Sequence, residues 1–227
     1  ERACDLKPKN LTFEQAAAFQ TAYLTAYVSL VRRGDLKEGE NLLVHGATGG
    51  VGMAAVQLGK YLGATVIATG TSEEKLEITK QWGADHTILT HKNNIVEFKD
   101  EVNDLTEGKG ADVIYDPVGG DVFDHSIRCI NWDGRILIVG FASGRLPVLP
   151  VNMALIKGFS VIGVRAGEFG RRNPEAGLEN NKIIRKICEE GHFIPYICKE
   201  FKLEDSKEAL KFLSQRKLVG KVVVTTS

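Results

Sequence analysis

The 227-residue sequence predicts an α/β fold, a doubly wound six-stranded parallel sheet of the Rossmann type. Three observations predict it. Short apolar runs alternate with helical patterns from residue 41 to residue 164, the apolar runs are continuous, and a glycine-rich turn follows the first of them. Continuous apolar runs indicate strands buried on both faces, as in a parallel sheet that helices cover on either side.

The elements follow in order along the chain. A first helix is predicted over residues 12–19, with Thr12 as its N-cap and Gln15 completing a capping box. Capping boxes formed by Thr71 with Glu74, and by Asn94 with its partner three residues on, begin two of the later helices. Strands are predicted at 41–45, 65–69, 87–89, 112–115, 135–139 and 160–164, and helices at 51–62, 71–82, 94–105 and 121–129.

The pattern changes after residue 166. A polar loop is predicted over 167–174, followed by a helix over 175–190, a strand near 197–201, a helix over 204–215 and a last strand over 221–225. These closing pieces are too few to form a hydrophobic core of their own. We therefore expect them to dock on another part of the protein.

Composition and charge exclude several functions. Hydrophobic residues make up 43% and charged residues 26%, and 29 basic residues balance 29 acidic ones. A formal net charge of zero gives no electrostatic reason to expect nucleic acid or an anionic membrane as a partner, and no apolar run approaches the roughly 18 residues of a transmembrane helix. Four widely spaced cysteines, Cys4, Cys129, Cys188 and Cys198, are typical of free thiols in a reducing compartment.

The turn from Gly46 to Gly52 is the strongest functional motif. Its sequence, Gly-Ala-Thr-Gly-Gly-Val-Gly, leaves a predicted strand and enters a predicted helix. Glycines in this context permit a tight turn and let the backbone meet a pyrophosphate, while the helix N-terminus offers free N–H groups to the phosphates. The motif predicts dinucleotide binding; the alternative is a tight turn without a ligand.

The residues after the second strand bear on the choice of cofactor. Enzymes that use NAD place an Asp or Glu about 20 residues beyond the glycine turn, where it binds the ribose 2′-hydroxyl. Here residues 69–72 contain no acid, and Glu74 is assigned to a capping box. Hydroxyl groups and Lys75 stand there instead, which favours the 2′-phosphate of NADP(H), unless Lys75 is simply a solvated helix residue.

The sequence resembles the medium-chain dehydrogenase/reductase superfamily, and within it the zinc-free quinone oxidoreductase branch. The resemblance rests on motifs that occur in the family's order along nearly the whole chain. They are Val44-His-Gly-Ala-Thr-Gly-Gly-Val-Gly52, Ala55-Val-Gln-Leu58, Gly83-Ala-Asp85, Asp116-Pro-Val-Gly-Gly120, Gly140-Phe-Ala-Ser-Gly144 and Gly220-Lys-Val-Val223.

The resemblance implies a set of cofactor contacts at the carboxyl ends of the strands. Two of them keep an alternative interpretation: His91 as an exposed loop residue, and Thr25 as a threonine that packs its helix. The implied residues are Thr48, Gly49, Gly50 and Val51 at the pyrophosphate, Ser72, Lys75 and His91 at the 2′-phosphate and adenosine, Val118 and Gly119 at the nicotinamide ribose, Thr25, Gly140, Phe141 and Ala142 at the nicotinamide, and Val164 and Arg165 at the same edge, where the sixth strand ends.

The same resemblance implies a three-part organisation and no metal. Residues 1–37 would be the exit from a GroES-like catalytic domain, residues 38–168 the dinucleotide-binding domain, and residues 169–227 a linker helix and the return to the catalytic domain. We therefore expect a fragment that carries the cofactor half, with little activity of its own and with catalytic residues that stay unknown. Thr21 stands where zinc enzymes of the superfamily carry a cysteine ligand, and a neutral hydroxyl is a poor ligand for zinc.

The expected function of the parent protein is NADPH-dependent reduction of quinones or α,β-unsaturated carbonyl compounds. The alternative is a non-catalytic sensor or structural protein of the same fold that binds NADP(H). Relatives pair the last strand of the sheet across a two-fold axis, which implies a homodimer. We expect no partner beyond a small-molecule substrate and the second copy, and a cytoplasmic location with mitochondria as the alternative.

Overall fold

The computed structural model describes residues 6–90, 98–215 and 218–226, and it confirms the doubly wound parallel sheet. Six strands lie in the order β3-β2-β1-β4-β5-β6, so the chain changes direction across the sheet between β1 and β4. All five neighbouring pairs are parallel. The strands are β1 (Asn41–Val44), β2 (Thr65–Gly70), β3 (His86–Leu89), β4 (Ala111–Asp116), β5 (Ile130–Ile138) and β6 (Ser160–Gly163).

Helices cover both faces of this sheet. The described helices are α1 (Phe13–Tyr27), α2 (Gly50–Tyr61), α3 (Glu73–Gln81), α4 (Phe98–Leu105), α5 (Asp121–Cys129), α6 (Val151–Lys157), α7 (Ala166–Arg172), α8 (Pro174–Glu189) and α9 (Ser206–Ser214), and α1 continues as a π-helix over Val28–Arg33. In β1, Leu42 and Val44 face the core under α1, α2 and α8, whereas Leu43 faces the core under α4 and α5. The strand is therefore apolar on both faces, as its sequence predicts.

The closing segment forms a small unit beside the main sheet. The strands β7 (Ile197–Lys202) and β8 (Lys221–Thr225) pair with each other in parallel, and α9 connects them. The stretch before β7 is fixed to α2 by Gln57, whose amide oxygen accepts from the Ile194 N–H at 3.0 Å and whose amide nitrogen donates to Ile194 O at 3.1 Å. The Tyr23 hydroxyl of α1 donates to the same amide oxygen at 2.9 Å.

Two helix starts differ in their outcome. The capping box of Thr12 and Gln15 is confirmed, but the helix that it begins runs to Tyr27 instead of residue 19. The predicted box of Thr71 and Glu74 is wrong, because α3 begins one residue later with Ser72 as its N-cap. Either hydroxyl could cap this helix by composition, and only the extended backbone of Ser72 settles the choice. The box predicted at Asn94 lies outside the described residues.

Helices were missed on either side of β6. Residues 166–172, most of the predicted polar loop, form α7, in which Gly170 crosses α8 at Gly177 so closely that a Cβ on Gly177 would lie 2.9 Å from the Gly170 Cα. The two glycines of α7 lower its intrinsic helix propensity, and this close packing stabilises the helix instead. The short helix α6 was not predicted, and β5 begins five residues earlier than expected.

A buried histidine joins three elements beneath the glycine-rich turn. His45 follows β1 directly and is fully buried. The Ser126 hydroxyl of α5 donates to Val122 O at 2.7 Å, so it accepts from His45 Nε2 at 2.8 Å. The Thr69 hydroxyl of β2 then donates to Nδ1 at 2.9 Å. Burial lowers the pKa of His45 to about 3, so the ring stays neutral and both of its nitrogens are satisfied.

This neutral ring predicts loss of stability in acid. Below the ordinary histidine pKa the unfolded chain takes up a proton that the folded chain refuses until about pH 3, so stability falls as the pH falls through that window. The loss from this group approaches about 1.4 kcal/mol per pH unit. His45→Gln keeps polar groups at the site and removes the titration. The free energy of unfolding of this variant, relative to that of the natural protein, should therefore rise as the pH falls from about 7 to about 4.5.

Urea unfolding at a series of pH values measures this difference. His192→Gln, at an exposed histidine, is the matched control and should track the natural protein. If the His45→Gln difference stays constant across the series, the neutral buried ring is not a source of the acid sensitivity.

Candidate functional site

The site begins at the turn between β1 and α2, at the carboxyl edge of the sheet. Gly46 has a φ of 57°, in the left-handed region that glycine adopts without strain. The turn is tied to both neighbouring strands, because His45 N donates to Tyr115 O and Ala47 N donates to Thr69 O, each at 3.0 Å. The turn therefore lies between β4 and β2, at the point where the strand order reverses.

Gly52 permits the closest approach in this turn. A Cβ at Gly52 would lie 2.8 Å from the Ala47 Cα and closer still to the Gly46 carbonyl oxygen. These neighbours are backbone atoms, so they cannot move aside as a flexible side chain would. No residue other than glycine lets α2 leave the turn at this angle.

The N-terminus of α2 carries no side-chain cap. Gly49 is the N-cap residue, and the first N–H that bonds within the helix belongs to Met53, which donates to Gly49 O at 2.8 Å. The N–H groups of Val51 and Gly52 precede that bond and point along the helix axis with the positive end of its dipole. This arrangement suits an anion that approaches the backbone directly.

Lys221 of β8 lies across this helix N-terminus. A Cβ on Gly50 would lie 2.7 Å from Lys221 Cδ, so the lysine stem passes directly over the glycine. Gly220 N donates to Thr48 O at 2.8 Å, which fixes β8 against the turn. A lysine whose stem crosses the positive end of a helix dipole can bring its ammonium to an anion held there, so Lys221 is a candidate ligand for that anion.

A second loop completes the edge beside β4. Asp116 ends β4 and is fully buried; its Oδ1 accepts from the N–H groups of Val118 and Gly119, each at 2.8 Å. Burial raises the pKa of Asp116, and the two N–H groups oppose that change. The Val118 side chain reaches Gly46, where a Cβ would lie 3.2 Å from Val118 Cγ2. Asp116 thus holds the loop against the glycine-rich turn.

The loop after β5 packs on the loop after β4. Ala142 N donates to Pro117 O and Ser143 N donates to Val118 O, each at 3.0 Å. The Phe141 ring covers Gly119, where a Cβ would lie 3.1 Å from Phe141 Cδ1, and the ring remains 45% exposed. The two loops therefore pack together at the carboxyl edge of the sheet, and part of Phe141 stays exposed to solvent.

The residues predicted for the adenosine end lie where β2 gives way to α3. Ser72 is half-buried, and its hydroxyl accepts from Lys75 N at 3.5 Å as the N-cap of α3. Lys75 follows in the first turn of the same helix. Thr48 joins this corner to the glycine-rich turn, because a Cβ on Gly70 would lie 3.3 Å from Thr48 Cγ2. His91 lies outside the described residues.

The remaining predicted residues follow β6 or lie in α1. Val164 follows β6, is buried, and donates its N–H to Ile138 O at 2.9 Å. A contact with a ligand would therefore use its backbone. Arg165 is exposed. Thr25 is half-buried in α1, and its hydroxyl donates to Thr21 O at 2.7 Å.

Comparison with known proteins identifies the family. The profile of the zinc-binding dehydrogenases matches residues 50–179, which is more than half of the chain. The chain belongs to the zinc-binding dehydrogenase family. This family forms part of the medium-chain dehydrogenase/reductase superfamily, so the resemblance found in the sequence is confirmed.

Relatives of this chain are named for different activities. A quinone oxidoreductase-like protein 2 homolog from Nematostella vectensis is 39% identical over 220 residues, which are 96% of this chain and 60% of that protein. A 2-haloacrylate reductase from a Burkholderia species is 30% identical over 96% of this chain and 65% of its own length. The chain thus spans 60% and 65% of the lengths of these two curated relatives.

A solved relative shows the same fold with a cofactor. A mycobacterial protein whose structure was determined in complex with NADPH superimposes with a TM-score of 0.88 and is 28% identical. The match covers 96% of this chain and 66% of that one.

No metal site forms within 6–90, 98–215 and 218–226: no three His, Cys, Asp or Glu side chains come together there in a way that could hold an ion. In the same ranges no helix combines the length and apolar character needed to cross a membrane.

Two residues of this dehydrogenase site were missed from sequence. Lys221 reaches the glycine-rich turn only because β8 returns from the far end of the chain, and its sole sequence clue is its place within the Gly220-Lys-Val-Val223 motif. Asp116 stands in another quoted motif, and its position before two consecutive glycines could have indicated a carboxylate that binds its own loop.

Proposed function

We propose that this chain binds NADP(H) and forms the cofactor half of an oxidoreductase that reduces quinones or α,β-unsaturated carbonyl compounds without zinc. The observation that carries the proposal is the uncapped start of α2 at the reversal point of the sheet, with Lys221 lying over it. A pyrophosphate is the anion that a glycine-rich turn of this form accepts. The relatives named above support reduction as the reaction class.

The chain's own residues account for cofactor placement. The N–H groups of Val51 and Gly52 and the ammonium of Lys221 would hold the pyrophosphate, and Ser72 and Lys75 would meet the 2′-phosphate. Val118, Gly119 and the loop 140–142 would border the nicotinamide and its ribose. When bound, the nicotinamide supplies the hydride for the reduction. Phe141 would exclude water from one side and leave the other side open for the acceptor.

Zinc independence is part of the proposal. Thr21 is exposed and offers a hydroxyl where a cysteine would ligate zinc in the zinc enzymes of the superfamily. The three free cysteines of the described residues, Cys129, Cys188 and Cys198, support the cytoplasmic location that we also propose.

Turnover of NADPH tests the proposed reaction. The intact protein should oxidise NADPH when either a quinone or an enone is added, with and without a zinc chelator. The 227-residue chain by itself should bind NADPH and turn over little. A cleft formed together with the expected catalytic domain would align the two reactants, and such alignment can lower the barrier by about 7–11 kcal/mol. Binding without turnover in the intact protein would favour the non-catalytic sensor instead.

Cofactor affinity separates the roles of two lysines. Lys221→Gln should weaken NADPH and NADH alike, by about 1.5–3 kcal/mol for a charge-assisted contact, because both cofactors carry the pyrophosphate. Lys75→Gln should weaken NADPH selectively, because only NADPH carries the 2′-phosphate. Fluorescence titration measures both affinities, and Lys202→Gln, at an exposed lysine of β7, is the matched control. Equal affinities of the natural protein for the two cofactors would contradict the assignment to NADP(H).

We also propose a homodimer formed through β6. Among the residues that the structure describes, this strand is the last of the sheet and has a neighbour on one side only. Large exposed apolar side chains gather in the segment before it: Leu146, Val148, Val151, Leu155 and Ile156. An unpaired strand edge beside exposed apolar side chains is typical of a surface that a second copy covers.

Light scattering at micromolar protein should give twice the 24.8 kDa of one chain. Leu155→Asp, at a side chain that is 83% exposed, should shift the mass toward the monomer because it places a charge in the apolar contact. Leu178→Asp, at an exposed leucine of α8, should leave the mass unchanged. A monomeric natural protein would contradict the proposal.

A further inference from the structure

The helix α7 presents a fixed group of charges at the carboxyl end of β6. Its Phe169 side chain packs against the core, and its Gly170 lies against Gly177 of α8. Val164 N bonds to Ile138 O, so the helix begins directly where the pairing of β5 and β6 ends. The helix is therefore held on two sides and cannot turn its polar face away.

That polar face is strongly basic. Residues 165–172 carry three arginines, Arg165, Arg171 and Arg172, against one carboxylate, Glu168, in a chain whose formal net charge is zero. Glu168 accepts from Arg171 Nη2 at 3.0 Å and from Arg172 Nε at 2.8 Å. One carboxylate thus serves two guanidinium groups, and both of these are more than 70% exposed. We call Arg165, Arg171 and Arg172 the arginine rim.

The position of the arginine rim separates it from the cofactor phosphates. β6 lies four strands from β2 in the sheet, and strands are spaced by about 4.8 Å, so the two strand ends are about 19 Å apart. The proposed 2′-phosphate site follows β2, and the proposed pyrophosphate site follows β1. The arginine rim follows β6 at the other end of the edge, and Arg165 comes directly after Val164, whose N–H bonds to the last residue of β5, the strand that leads into the loop proposed for the nicotinamide.

Resting on the proposed function, we propose that the arginine rim selects unsaturated acceptors that carry an anionic group, either a carboxylate or a phosphate. Guanidinium groups bind both kinds of anion in a planar, two-pronged geometry. One relative supports the idea independently, because the 2-haloacrylate named in its activity is an unsaturated carboxylate.

Two matched pairs of acceptors test the charge preference in the intact protein. The first pair is 2-chloroacrylate and its methyl ester, and the second is crotonyl-CoA and the neutral crotonyl thioester of N-acetylcysteamine. We expect kcat/KM to favour the charged member of at least one pair by about tenfold or more. The first pair reports a free carboxylate and the second a phosphate-bearing carrier. The preference should shrink as salt is added, because added ions screen exposed charges.

Three variants should change the ratio of charged to neutral acceptor in different ways. The double substitution Arg171→Gln and Arg172→Gln should lower the ratio of charged to neutral acceptor about tenfold, and Glu168→Gln should raise it, because it removes the carboxylate that offsets the arginines. Arg128→Gln, at an exposed arginine in the last turn of α5, is the matched control and should leave the ratio unchanged. A purely structural role of α7 would not reverse the sign between the two kinds of variant.

The outcomes separate the two proposals. Reduction of the neutral acceptors with no preference for their charged partners, or ratios that are equal in all variants, would overturn the arginine rim and leave the proposed function standing. If none of the acceptors, charged or neutral, supports oxidation of NADPH by the protein, the proposed function fails and the acceptor selectivity fails with it.

Discussion

The close approach of Gly52 to the backbone of Gly46 and Ala47 is the constraint on which the site depends. It brings the N-terminus of α2 to the carboxyl end of β1 with no side chain between them. The carbonyl of Thr48 is then in reach of Gly220, so the closing strands are aligned with the turn by a main-chain hydrogen bond. The same alignment carries Lys221 over the helix start. A Cβ at Gly52 would disturb the turn, the helix dipole and the lysine together, because all three share one backbone geometry.

Beneath this turn the sheet carries a layer of buried polar side chains. Val44 is the register partner of Tyr115, so the residues that follow them, His45 and Asp116, stand side by side on neighbouring strands. Each is fully buried. His45 is satisfied by hydroxyl groups from β2 and α5, and one oxygen of Asp116 is satisfied by its own loop. Burying such groups is costly without hydrogen bonds, and here those bonds also fix the loops that border the proposed cofactor site. The stability of the fold and the shape of the site thus rest on the same few contacts.

Sequence reasoning succeeded where a local pattern determines the structure. The continuous apolar strands and the glycine-rich turn predicted the sheet and the edge at which its loops converge, because burial and backbone freedom act over a few residues. It failed where a distant contact decides. Two glycines argued against α7, and only the crossing at Gly177 stabilises that helix. Thr71 and Ser72 were equally good caps by composition. Lys221 is some 170 positions from the turn that it covers, and no local pattern reports such a contact.

The side edge of β6 and its carboxyl end have different roles in the proposed dimer. Its open side edge is the surface proposed for dimerisation, and its carboxyl end carries the arginine rim. Two strands related by a two-fold axis perpendicular to a continuous sheet must run antiparallel, so their carboxyl ends point in opposite directions. Pairing through β6 would therefore cover the apolar side chains before the strand and still place the two arginine rims on opposite edges of the joined sheet. Neither rim would lie in the contact between the copies, so each proposed site would keep its own access to solvent and to an acceptor.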